Sequence, residues 1–280
     1  MKVLALVNQK GGVGKTTTAV NVASCLAAAE RKTLLIDLDP QGNATSGLGF
    51  SKNDLTSSIY EVLVDNAPLS SVILETTLDH LHLAPSNTQL VGAELELVSA
   101  FSRENRLANA IAGVEGQYEF VLIDCPPSLN LLTINALTAS NGVVVPVQCE
   151  YYAMEGLSEL MKTIQLVQTH LNPKLNVEGI VLTMYDGRNN LARQVSGEVR
   201  NFFGEKVYET IIPRNVKLSE SPSHGRSIIM YDVQSKGARS YLNMTQELIV
   251  RSNSAQIAVH NLASGGVDGE TMGLAASSLG

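Results

Sequence analysis

The run Asn8-Gln9-Lys10-Gly11-Gly12-Val13-Gly14-Lys15-Thr16-Thr17 decides how this chain folds. It lies between an apolar stretch over residues 2–8, suited to a buried parallel strand, and an alanine-rich, helix-favouring stretch over residues 16–30. Glycines between a strand and a helix, followed by Lys-Thr-Thr, read as a phosphate-binding loop. Gly11, Gly12 and Gly14 let the backbone around Val13 take conformations closed to other residues and bring its N–H groups close to an anion. The helix that follows turns its positive end toward the same anion. The pattern assigns Lys15 to the β and γ phosphates and the Thr16 hydroxyl to Mg²⁺, with Thr17 beside it. Gln9 stands where such loops usually begin with glycine. Lys10 is an addition, because the ordinary loop needs only Lys15.

Outward from the loop, apolar β-rich runs alternate with helix-favouring segments. Strands are expected over 2–8, 33–37, 80–84, 119–124, 142–147, 177–184 and 207–212. Helices are expected over 16–30, 88–113, 130–139, 153–171, 189–203 and 236–251. This alternation predicts an α/β fold, a doubly wound, mostly parallel sheet flanked by helices, filling one domain over 1–251. Ligands of such sheets bind at the carboxyl ends of strands, where this chain places carboxylates. Thr33-Leu34-Leu35-Ile36 ends in Asp37-Leu38-Asp39-Pro40, and Phe120-Val121-Leu122-Ile123 ends in Asp124-Cys125-Pro126-Pro127. A strand-end Asp can simply cap a helix, but Asp124 also suits Mg²⁺, a cation that takes oxygen ligands. Asp39, nearer the turn, is expected to position or deprotonate an attacking water, and Asp37 to serve Mg²⁺ or support the loop.

Composition narrows the class. The chain has 280 residues, a formal net charge of −7 and no run of 18 apolar residues, so a cytoplasmic protein without a membrane span is expected. Cys25, Cys125 and Cys149 lack metal-site spacing and read as buried thiols. Residues 186–251 carry ten Lys or Arg against seven acids, a local excess inside an acidic chain. Residues 252–280 are rich in Ser, Gly and Ala and are expected to be disordered.

Together Lys-Gly-Gly-Val-Gly-Lys-Thr-Thr, Asp-Leu-Asp-Pro-Gln-Gly-Asn-Ala-Thr-Ser-Gly-Leu-Gly, Ile-Asp-Cys-Pro-Pro-Ser and Ile-Pro-Arg-Asn-Val-Lys-Leu-Ser-Glu-Ser-Pro-Ser-His-Gly resemble the ParA/Soj-type chromosome-partitioning ATPases, members of the deviant Walker A class of P-loop ATPases. The motifs span residues 8–225. The resemblance implies ATP and Mg²⁺ as ligands and slow ATP hydrolysis. It also implies an ATP-bound homodimer in which Lys10 crosses to the partner's nucleotide. It gives Pro213 and Asn215 an adenine contact and Glu150, Tyr151, Tyr152 and Glu155 an interface. Arg188 and Lys217 match basic positions that contact double-stranded DNA without reading its sequence. A ParB-type centromere-binding partner that stimulates hydrolysis, association with the nucleoid and no membrane anchor follow from the same resemblance. A membrane-anchored division-site ATPase would need a Lys-rich amphipathic C-terminus, and an iron–sulfur reductase would need a suitably placed cysteine; the chain suggests neither.

Overall fold

In the computed structural model, residues 1–264 are described, with side-chain surroundings through Asn253. The chain begins with β1 (Lys2–Leu6), α1 (Lys15–Ala28), β2 (Thr33–Asp37), α2 (Asn43–Gly47) and α3 (Ile59–Val64). Then come β3 (Leu74–Glu75), β4 (Leu81–Ala84), α4 (Leu90–Glu96), α5 (Arg106–Ala112), β5 (Phe120–Asp124), α6 (Leu131–Ala139) and β6 (Gly142–Gln148). It continues through α7 (Ala153–His170), β7 (Asn176–Thr183), α8 (Asn190–Phe203), α9 (Val216–Glu220), α10 (Ile228–Tyr231) and α11 (Lys236–Ser264). The sheet has the order β3-β4-β2-β5-β1-β6-β7, parallel except for the two-residue edge strand β3.

The strands are apolar on both faces because both faces are covered, as parallel sheets require. Alternate residues serve opposite layers. Val3, Ala5, Leu34, Ile36, Val121 and Ile123 pack toward α3 through α8, joined by Ile59, Leu90, Leu107, Leu132, Leu157 and Val195. Leu4, Leu6, Leu35 and Leu122 pack the other way, against Ala19 and Val22 of α1 and Leu218, Ile228 and Tyr241 of α9 through α11. β1 lies between β5 and β6, so its carboxyl end opens at the reversal of strand order where such sheets bind ligands.

Three expectations need correction, and some short elements went unannounced. Residues 207–212 do not form a regular strand: they bridge β7 at Ile180–Val207, and Tyr185–Pro213 closes the far end. Between the bridges the Glu209 and Thr210 N–H groups turn away and donate to the Glu247 carboxylate at 3.0 and 3.1 Å. The helix expected over 88–113 is broken, with Ala100 extended and Ser102 at φ 49° between α4 and α5. α2, α3 and β3 lack sequence runs long enough to announce them. The last helix does not stop at 251 but continues to Ser264; the remainder of the expected tail, 265–280, lies outside the described residues. Among the described residues no helix is long and apolar enough to cross a membrane.

Candidate active site

The loop leaves β1 and enters α1 through Gly12 and Gly14, at φ 72° and 87°, values that residues with a Cβ rarely adopt. Gly14 occupies the cap position of α1, no side chain caps that helix, and no acid lies in its first turn. Its leading N–H groups therefore stay open to an external anion. Thr183, the last residue of β7, fixes the loop from below by donating its hydroxyl to the Val13 carbonyl at 2.8 Å.

Lys15 is 6% exposed, and its ammonium donates to the Lys10 carbonyl at 3.2 Å. Burial lowers its pKa, against the opposing pull of Asp124, Cys125 and Asp39. Among the described residues it has no carboxylate ion pair. A buried cation with a single neutral partner favours an incoming anion. Lys10 differs: its side chain is 43% exposed and pairs with Glu150 of the segment before α7. Gln9 bonds Glu159 on α7, so the outer end of the loop rests on that helix.

The strand register sets the carboxylates. Asp37 on β2 lies opposite Asp124 on β5, both fully buried at the carboxyl edge of the sheet. Burial pushes both pKa values up, and each one's nearby acids push the same way. Their surroundings otherwise differ. Asp37 accepts from the Asp39 N–H at 3.2 Å and from the Thr45 N–H and hydroxyl at 2.8 and 2.7 Å, tying down the loop that follows β2. Of its two expected roles, loop support is the one these bonds perform. Neither oxygen of Asp124 has a hydrogen bond of good geometry, although the Thr16 hydroxyl lies near enough to favour its charged form. Two orphaned buried oxygens beside Thr16 suit a hard cation with its waters. Asp39 is buried but lines the cavity, and one of its oxygens accepts from the Gln41 N–H at 2.9 Å.

Part of this constellation lines a cavity of about 530 Å³. Gly11, Gly12, Gly14, Lys15, Thr16, Thr17 and Asp39 form one end, and Pro213, Arg214 and Asn215 form another. The Tyr185–Pro213 bridge, with the Arg214 N–H donating to the Tyr185 carbonyl at 3.1 Å, holds that far wall against β7. Val13 is buried beneath the loop. Lys10, Asp37 and Asp124 do not line the cavity. Thr183, Met184, Pro127 and Tyr241 do, and sequence reading missed them. Pro127 lay within a quoted motif; Tyr241, on a helix far along the chain, carried no local signal.

Arg188 and Lys217 lie outside the cavity, on two segments that leave the Tyr185–Pro213 bridge. The loop carrying Arg188 starts at Tyr185, and α9, which carries Lys217, starts just beyond Pro213. Arg188 grips Asp186 through two bonds of 2.9 and 2.8 Å, which holds the Asp186 pKa at about 2. Lys217 pairs with Glu220 at 3.0 Å and lies over the Tyr231 ring. The opposite side of α9 contributes Leu218 and Ser219 to the cavity wall. All three cysteines are buried and free, and no metal-binding cluster of His, Cys, Asp and Glu occurs among the described residues.

Residues 1–177 match the model of a family described as an AAA domain. The chain is 57% identical over 247 residues to the sporulation initiation inhibitor protein Soj of Bacillus subtilis, covering 88% of this chain and 98% of that protein. It is 53% identical over 250 residues to the chromosome partitioning protein ParA of Myxococcus xanthus, covering 89% and 88% of the two chains. Among solved structures, it is similar to cobyrinic acid a,c-diamide synthase of Mycobacterium smegmatis with bound ADP and magnesium. That similarity has a TM-score of 0.81 at 37% identity, over 91% of this chain and 96% of that one.

Proposed function

Because the chain belongs to the ParA/Soj family of chromosome-partitioning ATPases, we propose that it segregates DNA through an ATP-bound sandwich dimer that holds DNA without reading its sequence. The observation that carries this reading is the direction of Lys10. Its side chain leaves its own cavity and reaches an exposed glutamate, so the second cation of the loop is available to a neighbouring molecule. Supplied in trans, it offsets the phosphate charge that opposes bringing two nucleotides face to face.

In this reading Lys15 and the open N–H groups of α1 hold the ATP phosphates, and Pro213 and Asn215 flank the base. Thr16 and Asp124 hold Mg²⁺, which when bound neutralises phosphate charge as it develops. Asp39 orients the attacking water, and Asp37 keeps the Asp39 loop in place. Turnover is slow alone, since positioning carries the chemistry, and a ParB-type centromere-binding protein accelerates it. DNA phosphates exchange for the carboxylates that now pair with Arg188 and Lys217, and hydrolysis returns monomers that release DNA. α9 joins the two events, because one side lines the cavity and the other carries Lys217.

The test is a DNA mobility shift with ATP, with ADP and without nucleotide, for wild type and Arg188→Ala. The reading expects binding only with ATP, a steep loss with salt and a marked weakening in the variant. Equal binding in all three nucleotide states would remove the switch.

A further inference from the structure

Beyond β7 the chain begins to add a further parallel strand and then departs from it. The Tyr208 N–H donates to the Ile180 carbonyl at 2.8 Å and the Ile212 N–H to the Leu182 carbonyl at 2.9 Å. In a regular parallel ladder, donors two residues apart meet acceptors two residues apart. Here the acceptors are two apart and the donors four. Two residues are in excess, and the chain between the bonds bows off the edge. Both ends of the bow are fixed. The Tyr208 ring is fully buried and fills the space that a Cβ at Gly179 would need, and the Tyr185–Pro213 bridge closes the other end.

An excess of this kind takes backbone polar groups out of the ladder, and they need other partners. Charged side chains from the two layers provide them. From α11, the Glu247 carboxylate accepts the Glu209 N–H on one oxygen at 3.0 Å and the Thr210 N–H on the other at 3.1 Å. From α8, Arg200 donates to the Tyr208 and Glu209 carbonyls at 3.1 and 3.3 Å. Glu247 is itself gripped by Arg251, one turn along the helix, at 2.7 Å; Arg251 also reaches the Val207 carbonyl and lies over the Tyr208 ring. The Glu247 side chain is 19% exposed, so its bonds are those of a sheltered, charge-assisted tie and not of a loose surface pair.

The bow leads directly into the far wall of the nucleotide cavity, which Ile212, Pro213 and Asn215 line. The side-chain oxygen of Asn215 is buried without a hydrogen-bond partner, an acceptor open to an N–H group of a ligand. α11 meets the cavity a second time through Tyr241, which lines it and shares a hydrogen bond of 3.1 Å with Thr18 of α1. One residue of α11 thus ties the helix to the phosphate end of the site, and another ties it to the segment that builds the far wall.

We infer that Glu247 is a positioning residue for nucleotide binding: by accepting the two surplus N–H groups it holds the bow in place and sets where Pro213 and Asn215 meet the base. That Pro213 and Asn215 flank the base rests on the functional reading above; the tie itself rests on the bonds around Glu247. Glu247 does not line the cavity and acts only through the segment it holds. Without its carboxylate two N–H groups lose their acceptor, and the ladder on β7 is free to close up by as much as two residues, displacing the wall.

The test measures steady-state ATP hydrolysis, and hydrogen exchange by mass spectrometry, on the full chain for wild type, Glu247→Ala, Glu247→Gln and Asn215→Ala. Glu247→Ala should raise KM for ATP by about tenfold, keep kcat within about twofold and speed exchange over residues 207–215. Glu247→Gln, with one acceptor left, should fall between that variant and wild type, and it carries the test if the alanine variant does not fold. A merely structural role gives a different result, because partial unfolding lowers kcat with the folded fraction and leaves KM where it was. That result, or wild-type KM in both Glu247 variants while Asn215→Ala raises it, would overturn the inference. An unmoved KM in Asn215→Ala would instead sink the reading of the far wall as a base contact. Exchange over 207–215 then decides: faster exchange in Glu247→Ala keeps Glu247 as the residue that sets this segment, and unchanged exchange removes it.

Discussion

Lys15 and Lys10 stand five residues apart on one loop, in opposite surroundings. Lys15 is enclosed, with its pKa lowered by burial and a backbone carbonyl as its partner. Lys10 lies in the open and is held by Glu150. The inner end of the loop is built around an anion that the protein does not supply, and the outer end is braced on α7 away from the cavity. The difference teaches that the two cations are placed for separable tasks, which the proposed reading assigns as binding nucleotide within a chain and reporting that binding to a second chain.

The comparison breaks most readily at its inner end. Lys15→Ala should lower ATP affinity by about a hundredfold or more, since a charge-assisted contact in a buried site disappears; titration calorimetry measures it, and wild-type affinity would deny Lys15 its task. A smaller effect is expected at the brace beneath the loop. Thr183→Val leaves the Val13 carbonyl without its donor and should cost about 1 kcal/mol in thermal unfolding, with a few-fold weaker ATP binding. The smallest belongs to the outer end. Glu150→Gln removes an exposed ion pair of about 0–1 kcal/mol, so ATP affinity should stay unchanged and dimerisation measured by sedimentation should move by no more than about fivefold. A change in ATP affinity there would show that the two ends are not separable.

The parts of the fold legible in the sequence are those where local chemistry and tertiary structure agree. β2 matches its expected limits, and β4, β5, β6 and β7 lie within a residue of theirs, because continuous apolar runs are what strands buried on both faces require. Residues 207–212 look equally strand-like, but the ladder there is interrupted by Glu247, which approaches from α11. No local pattern encodes that approach. The break at Ser102 was likewise concealed, because Val91, Leu95, Val98 and Phe101 continue a helical spacing while facing outward, where the core does not arbitrate. In the site, the phosphate loop, Asp39, Pro213 and Asn215 were legible and share one cavity. Thr183, Met184 and Tyr241 were not, since their place depends on how β7 and α11 pack against the loop. The pairing of Arg188 with Asp186 and of Lys217 with Glu220 also emerged only from geometry.

The central claim is that Lys10 makes ATP binding a signal for dimerisation. Analytical ultracentrifugation of Lys10→Ala with ATP, alongside nucleotide titration of the same protein, tests it most directly. The account predicts near-wild-type ATP binding through Lys15 and a protein that sediments as a monomer at concentrations where wild type forms dimers. ATP-dependent dimers of wild-type strength in Lys10→Ala would contradict it and leave Lys10 as a surface lysine paired with Glu150.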